Sequence, residues 1–215
     1  MPQPHSPSPF AGLDEPALRA LAPNGSVRSF AKGAVIVNEG DETDALYVVV
    51  SGRVKVFVSD EDGREMVIGS IGPGDYFGEL VLDGGPRGAS IMSLEPCRFF
   101  VIPRGDVEGL IERSPAFGRD LIHKLIGKVR SLTGRVKDLA LKDVYGRFAK
   151  FVDENAVEQD GKRVLAERLT QQDVAARIGG SREMVNRILK ELTAGGYISV
   201  AEKRITVLKK LPANW

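Results

Sequence analysis

The chain has 215 residues, a formal net charge of +1, and 42% hydrophobic and 27% charged residues. This length supports one large domain or two small ones, and the composition excludes a disordered chain, a fibrous repeat and a tiny disulfide scaffold. The longest apolar run, Ala45–Val50, is far shorter than the roughly 20 residues of a transmembrane helix, and the first ten residues lack the pattern of a secretory signal. We therefore expect a folded, cytoplasmic protein without a membrane partner.

Charge is distributed unevenly along the chain. Residues 1–110 carry a net charge of −7, whereas residues 111–143 and 144–215 carry +4 each. An acidic front and a basic back are typical of a sensor or scaffold joined to a surface that binds a polyanion, with nucleic acid as the leading candidate. An ordinary basic domain surface would explain the charge alone equally well.

Metal and redox chemistry have little support in the residue types. The chain contains one cysteine, Cys97, and two histidines, His5 and His123. A disulfide within the chain is therefore impossible, and no Cys/His cluster has metal-ligand spacing. We expect no metal cofactor. We also expect no enzyme activity, because no nucleophile–base pair accompanies the motifs described below.

The first half predicts an all-β domain. Three runs of strand-forming residues, Leu46–Val50, Val54–Val58 and Met66–Ile71, are separated by turn signals such as Ser51-Gly52. Regularly spaced short strands predict a sandwich or barrel of about a hundred residues. We assign this sensor domain to residues 1–112.

A glycine-rich segment at 78–90 combines one carboxylate and one arginine in an apolar β context. Gly88 and Ala89 let backbone N–H groups approach an anion, and Arg87 offers a charge-assisted fork. Glu79 can accept a hydrogen bond from a ribose hydroxyl. These residues alone leave open a second interpretation, an ion pair between Glu79 and Arg87 beside a glycine-rich turn.

A long helix is predicted at 115–141, within a segment 113–142 that we assign to dimerisation. Its apolar residues are spaced 3, 4, 3, 4, 3, which defines a heptad seam. The seam residues are Ile122, Leu125, Val129, Leu132, Val136 and Leu139. β-branched residues at one seam position and leucines at the other favour two parallel helices in a coiled coil. An amphipathic helix buried on its own domain is the alternative, although its apolar stripe is usually wider.

The last part of the chain predicts two consecutive short helices. Thr170, with an acidic residue three positions later, resembles a capping box that opens a helix over 171–178. Two glycines then turn the chain, and Ser181 can cap a second helix over 182–193. After a further turn, two strands predict a β-hairpin wing at 198–207.

Polar side chains on this helix pair are positioned to bind DNA, so residues 143–215 are predicted to form a winged helix-turn-helix domain. Arginine hydrogen-bonds guanine, and glutamate accepts from the N4 amino group of cytosine. The candidate DNA-binding residues are Thr170, Gln171, Gln172, Ser181, Arg182, Glu183, Asn186 and Arg187. The last four are expected on the solvent side of the second helix.

Short motifs of the first half resemble the cyclic-nucleotide-binding β-roll in order and nearly in register. They are Lys32-Gly33 to Ile36, Glu39-Gly40-Asp41, Leu46-Tyr47, Ser51-Gly52, Gly72-Pro73-Gly74-Asp75, Phe77-Gly78-Glu79-Leu80 and Pro86-Arg87. The resemblance implies that Glu79 holds the ribose 2′-hydroxyl of a cyclic nucleotide, while Arg87 and the backbone after it hold the cyclic phosphate. The expected ligand-binding residues here are Gly78, Glu79, Leu80, Arg87, Gly88 and Ala89. The interval from Glu79 to Arg87 is one residue shorter than is usual for members that bind cyclic AMP.

The segment Thr170–Arg187 resembles the DNA-binding helix pair of the CRP/FNR family. The resemblance implies an α+β architecture of β-roll, dimerisation helix and winged helix-turn-helix, and a homodimer that reads a palindrome and contacts RNA polymerase. Alignment through the long helix puts Leu132 and Thr133 where receptors of this family point two hydroxyl residues at adenine. Cyclic AMP is therefore favoured only modestly over cyclic GMP, cyclic di-GMP or the absence of nucleotide control.

Overall fold

The computed structural model describes residues 8–42, 44–159 and 161–212. They form two compact units. The first contains the chain up to Asp60 together with Val67–Val129, and the second contains Glu61–Met66 and the chain from Arg130 onward. The predicted α+β class is confirmed, and none of the described helices is long and apolar enough to span a bilayer. His5 lies outside the described residues.

The first unit contains two antiparallel sheets. Its elements are α1 (Glu15–Leu21), β1 (Ser26–Phe30), β2 (Val35–Val37), β3 (Ala45–Ser51), β4 (Val54–Ser59), most of β5 (Glu65–Ile71), β6 (Tyr76–Phe77), β7 (Ser90–Ser93), β8 (Cys97–Pro103), α2 (Arg104–Arg113) and the start of α3 (Pro115–Leu141). The sheets have the strand orders β1-β8-β3-β6 and β2-β7-β4-β5. The three strands predicted from sequence are confirmed as β3, β4 and β5.

Strand β3 is buried on both faces, which explains its unbroken apolar run. Because side chains alternate along a strand, Leu46 and Val48 pack against the helical side, with Phe117 of α3 in the same cluster. Tyr47 and Val49 face the second sheet and belong to the other apolar cluster of this unit. The unit therefore has a helix-covered layer and an inter-sheet layer on either side of β3.

Helix α3 is continuous over the predicted range. Its first turns are anchored, since Phe117 and Leu121 are buried in the core of the first unit. The seam side chains are exposed by 37% to 66% in the single chain; they are Ile122, Leu125, Val129, Leu132, Val136 and Leu139. A helix that leaves a regular apolar stripe uncovered over its length fits the coiled-coil interpretation better than burial on its own domain.

The second unit contains a helix pair and a four-stranded sheet. Its elements are the rest of α3, α4 (Val144–Asn155), β9 (Ala156–Gln159), β10 (Lys162–Leu165), α5 (Gln171–Ile178), α6 (Arg182–Ala194), β11 (Ile198–Ala201) and β12 (Arg204–Val207). The strand order is β11-β12-β10-β9. The predicted helix pair and wing are confirmed, whereas the β9–β10 hairpin was not predicted. One core joins α4, α5, α6 and the sheet, and Phe148, Val185 and Leu192 are fully buried in it.

A guanidinium group fixes the turn between α5 and α6. Arg147, near the start of α4, donates from Nε to the carbonyl oxygen of Ile178 at 2.7 Å and from Nη2 to that of Gly179 at 2.9 Å. Its Nη1 donates to the carbonyl oxygen of Lys142 at 2.7 Å. Gly179 has the left-handed backbone conformation (φ 66°) of a helix C-cap. A cation at the C-terminal carbonyls of α5 also complements the helix dipole.

Candidate functional site

The glycine-rich segment begins at a position where a side chain would displace its neighbours. Gly78 has φ 91° and precedes a single 3-10 turn, Glu79–Leu82. A Cβ at Gly78 would clash with Nη1 of Arg87 and would come within 2.9 Å of the Ala45 carbonyl oxygen. The absence of a side chain at Gly78 therefore makes room for the Arg87 guanidinium.

Arg87 and Glu79 are buried together in this segment. They are 5% and 7% exposed, and no other charged residue in the described part of the chain is buried. Nη2 of Arg87 donates to the carbonyl oxygen of Ala45 at 2.7 Å, and the guanidinium lies 5.6 Å from the centroid of the Tyr47 ring. Burial lowers the pKa of Arg87 against the opposing effect of Tyr47 and Glu79, but a guanidinium remains charged in proteins.

Glu79 has an ion-pair partner that sequence reasoning did not identify. Its Oε1 accepts a hydrogen bond from Nζ of Lys128, one turn before Leu132 on α3. Burial raises the pKa of the Glu79 carboxyl, but the Lys128 ammonium and a backbone hydrogen bond outweigh it and hold the pKa below its ordinary value. Glu79 is thus ionised at neutral pH and is paired with Lys128, not with Arg87, among the described residues.

The second carboxylate oxygen of Glu79 is available to a ligand. Oε2 is buried and makes no hydrogen bond to any residue that the structure describes. Leaving a buried carboxylate oxygen without a donor costs about 1–3 kcal/mol or more. Such an atom is a good acceptor for a hydroxyl group brought by a bound molecule.

A second lysine anchors the same helix to the roll. Lys124, one turn before Lys128, donates to a carboxylate oxygen of Asp75 and to the carbonyl oxygen of Tyr76. The Tyr76 hydroxyl donates to Oδ2 of Asp120 at 2.9 Å, so the phenol ring is held from α3 as well. Burial lowers the pKa of Lys124 while Asp75 opposes the shift, and burial together with Asp120 raises the pKa of Tyr76. These contacts fix the part of α3 that carries Lys128.

The backbone around Arg87 is held by a neighbouring turn. The N–H of Arg87 donates to the carbonyl oxygen of Asp41 at 2.9 Å, and the N–H of Gly40 donates to that of Arg87 at 2.8 Å. Of the two residues that follow, Gly88 is exposed and Ala89 is half-buried. The segment is thereby pinned at Arg87, with the next residue open to solvent.

Six of the eight predicted ligand-binding residues lie on this one segment; they are Gly78, Glu79, Leu80, Arg87, Gly88 and Ala89. Leu80 is 41% exposed, and a Cβ at Gly88 would lie 3.3 Å from its Cδ1. Leu132 and Thr133 are exposed residues of α3 beyond Val129, in the second unit. Their role in ligand binding stays a prediction.

The helix pair of the second unit has the caps predicted from sequence. Thr170 Oγ1 accepts from the N–H of Asp173 at 3.1 Å, and Asp173 Oδ2 accepts from the N–H of Thr170 at 2.8 Å, which completes a capping box. Ser181 Oγ accepts from the N–H of Met184 at 3.2 Å at the start of α6. Both helices therefore begin at defined residues.

The predicted DNA-binding residues of α6 share its solvent side. Arg182, Glu183 and Arg187 are exposed, as predicted. A backbone hydrogen bond and the Ser181 hydroxyl hold the pKa of Glu183 below its ordinary value. Asn186 was expected to be outside as well but is half-buried, because it accepts a hydrogen bond from a side chain of α5.

The remaining predicted residues lie at the start of α5 and in the turn. Gln172 is exposed, whereas Gln171, Thr170 and Ser181 are partly buried. Within the described ranges, no group of His, Cys, Asp and Glu side chains is arranged to hold a metal ion.

Two protein-family models match separate parts of the chain. The family model of the cyclic nucleotide-binding domain matches residues 27–114. The model of the Crp-like helix-turn-helix domain matches residues 146–211.

Two known regulators are similar to this chain over nearly the whole length of both proteins. The CRP-like cAMP-activated global transcriptional regulator of Mycobacterium tuberculosis is 31% identical over 203 residues, covering 92% of this chain and 91% of the relative. The cAMP-activated global transcriptional regulator CRP of Pasteurella multocida is 30% identical over 201 residues, covering 90% and 95%.

Solved structures agree with this similarity. The c-di-GMP-responsive global regulator CLP of Xanthomonas campestris superposes with a TM-score of 0.78 at 25% identity, covering 88% of this chain and 96% of that chain. A transcriptional regulator of the CRP/FNR family from Thermus thermophilus gives a TM-score of 0.70 at 28% identity, covering 86% and 94%. The chain, with its cyclic nucleotide-binding domain and its helix-turn-helix, therefore belongs to the CRP/FNR family of DNA-binding transcriptional regulators.

Proposed function

We propose that this chain is a homodimeric transcriptional regulator whose DNA binding is controlled by a cyclic nucleotide, with cyclic AMP as the favoured effector. The observation that carries the proposal is the pair of buried charges in one glycine-rich segment, Arg87 and Glu79, with one oxygen of Glu79 open to a donor. The proposed domains are residues 1–112 for sensing, 113–142 for dimerisation and 143–215 for DNA binding. The proposed role is binding and regulation, not catalysis.

The effector site follows from the chemistry of the two buried charges. The cyclic phosphate is an anion, so it would pair with the Arg87 guanidinium and accept from the backbone N–H groups of Gly88 and Ala89. The ribose 2′-hydroxyl would donate to Oε2 of Glu79, since Oε1 is already paired with Lys128. Ligand binding would then add to the existing ion pair without having to break it.

The identity of the base is less constrained than the phosphate and ribose contacts. Thr133 can hydrogen-bond an adenine amino group from the partner subunit, whereas the Leu132 side chain cannot. Relatives from M. tuberculosis and P. multocida are named cAMP-activated, which supports cyclic AMP. The X. campestris regulator is described as c-di-GMP-responsive, so cyclic di-GMP, like cyclic GMP, is an alternative effector that the experiment below includes.

The DNA-binding mode follows from two-fold symmetry. A parallel seam along α3 would place two copies of α6 in adjacent major grooves, about 34 Å apart, so the target would be a palindrome. Arg182, Glu183 and Arg187 would read base edges, and Thr170, Gln172 and Ser181 would contact phosphates near the helix N-termini. A regulator seated in this way beside a promoter would contact RNA polymerase.

Calorimetric titration of the purified dimer with cyclic AMP, cyclic GMP and cyclic di-GMP tests the effector. We expect cyclic AMP to bind most tightly and Arg87→Ala to weaken it by about 10- to 150-fold, the loss of a hydrogen bond to a charged group. Arg28→Ala is the matched control, because it removes an exposed arginine from β1 of the same unit. An equal loss in both variants would place the phosphate elsewhere.

DNA binding measured with and without each nucleotide separates control from binding. Operator affinity that rises with the bound nucleotide supports the proposal. Tight operator binding that no nucleotide changes would instead support a regulator without nucleotide control.

A further inference from the structure

A hydrogen bond between two side chains joins the two helices of the DNA-binding pair. Nε2 of Gln171 on α5 donates to Oδ1 of Asn186 on α6 at 3.1 Å, and both residues are half-buried. Asn186 lies one helical turn after Arg182 and therefore shares its face. The contact holds a potential base-reading amide in a defined position before DNA binds.

The donor of this hydrogen bond is itself well fixed. Gln171 is the first residue of α5, immediately after the capping-box residue Thr170. Packing of Val174 on α5 with Val185 on α6, which are almost completely buried in one core, holds the two helices together. Gln171 can therefore impose an orientation on the amide of Asn186.

The imposed orientation has a definite chemistry. An amide oxygen has two lone pairs, so Oδ1 can accept from Gln171 and from one further donor. Nδ2 is bonded to the same carbon as Oδ1 and remains a donor. An asparagine that presents an acceptor and a donor side by side matches N6 and N7 of adenine in the major groove.

We propose that Asn186, oriented by Gln171, selects adenine over guanine at one base pair of each half-site. In this proposal Asn186 is a specificity-determining residue and Gln171 is a positioning residue. The inference rests on the proposed function in one respect, that α6 reads the major groove. Guanine is rejected because its O6, an acceptor, would face Oδ1, a second acceptor.

Loss of the positioning contact should relax selectivity more than affinity. Without the Gln171 donor the Asn186 amide can turn over and present Nδ2 to O6 or N7 of guanine. Guanine would then be accepted at the position where the parent protein requires adenine. A purely structural role of Gln171 would weaken binding to every sequence alike.

Selection from a random DNA library with the full-length dimer, in the presence and the absence of cyclic AMP, tests this inference. Asn186→Ala should lower the adenine-to-guanine ratio at one base pair of each half-site by about 5- to 150-fold, the range for a lost bidentate base contact. Gln171→Ala should lower the ratio at the same base pair, and the double variant should lower it no further than Asn186→Ala, because the two residues act as one unit.

Gln172→Ala is the matched control, since it truncates the next glutamine of α5, which is exposed. It should weaken all sequences similarly and leave the ratio unchanged. Enriched half-sites whose profiles are the same in the parent, Asn186→Ala and Gln171→Ala would overturn the inference alone. A profile changed by Asn186→Ala but not by Gln171→Ala would overturn the positioning role. If the parent enriches no half-site at all, the proposed DNA reading fails and this inference fails with it.

Discussion

Replacing Gly78 by alanine should separate the effector site from the rest of the β-roll. The added Cβ would enter the space of the Arg87 guanidinium, which has to move from its position on the Ala45 carbonyl oxygen. Because Arg87 is the proposed phosphate partner, its displacement should cost about 1.5–3 kcal/mol of binding energy. We expect the Kd for cyclic AMP to rise by about 10- to 150-fold.

The same substitution also strains the backbone, and that effect can be subtracted. A non-glycine residue at φ 91° costs on the order of 1–3 kcal/mol of folding stability. Gly33 has a similar φ of 81°, but a Cβ there meets no atom within 4 Å. Gly33→Ala should therefore lower the Tm without changing the Kd, whereas Gly78→Ala should change both.

Calorimetric titration and thermal unfolding of the two variants give the answer together. If Gly78→Ala binds cyclic AMP as tightly as the parent protein while it is destabilised like Gly33→Ala, Arg87 does not hold the phosphate. A Gly33→Ala protein with an equally weakened effector affinity would show that backbone strain, not displacement of the guanidinium, controls the site.

Three further predictions concern the dimer, the operator and pH. The double substitution Leu125→Lys and Leu132→Lys should convert the dimer into a monomer in sedimentation experiments, because it removes about 1.5–3 kcal/mol of burial for each leucine and places like charges in the seam. Glu183→Ala should relax the preference at one base pair of each half-site, with a loss of about 1–3 kcal/mol of discrimination in operator competition assays. Effector affinity measured by calorimetry should stay constant as the pH falls from about 7 to about 5 and should decline below the ordinary Glu79 pKa of 4.5.

Each of these predictions has an outcome that would contradict it. A stable dimer of the double lysine variant would exclude the seam as the interface. An operator profile that Glu183→Ala leaves intact would remove α6 from base recognition. A carboxyl whose pKa is lower in the folded state stabilises the fold above its unfolded pKa, and this stabilisation is lost as the pH falls through the folded pKa. Because the pKa of Glu79 lies below its ordinary value of 4.5, the carboxyl is still ionised at pH 6. Loss of effector affinity already at pH 6 would therefore show that Glu79 is not the controlling group.

Elements with a strong local signal could be predicted from the sequence. The heptad spacing of α3, the capping box at Thr170 and the serine cap of α6 all lie within a few residues of the helices they define, and the predicted ranges are confirmed. The strand-forming residues of β4 and β12 are visible in the same way. These patterns arise from local backbone chemistry, which a single sequence contains.

Other elements carry a weaker pattern. Helix α1 has only seven residues, although Asp14 caps it and a proline stands in its first turn. Strand β9 is short and mostly exposed, so its apolar alternation is lost, even though the Asp160-Gly161 dipeptide is a hairpin signal. Short edge elements depend on their partner strands for stability, and the partner is not visible in the local sequence.

The candidate site residues also differ in how well the local sequence could identify them. The Gly78–Ala89 segment contains its candidate residues within twelve positions, so the sequence could single it out as a candidate site, although an ion pair between Glu79 and Arg87 remained an alternative. The Lys128–Glu79 and Lys124–Asp75 pairs each join residues 49 positions apart, and only the packing of α3 on the roll brings them together. The spacing of the two lysines by one helical turn was visible, but nothing local indicates which carboxylates they meet.

The three hydrogen bonds of Arg147 have a consequence for the rates of DNA binding. The turn between α5 and α6 is held by the guanidinium on one side and by the left-handed Gly179 on the other. A reading surface that is already ordered in the free protein loses little conformational entropy on contact with DNA. Correct and incorrect operators should then be met at similar association rates, and discrimination between them should appear mainly as a difference in residence time.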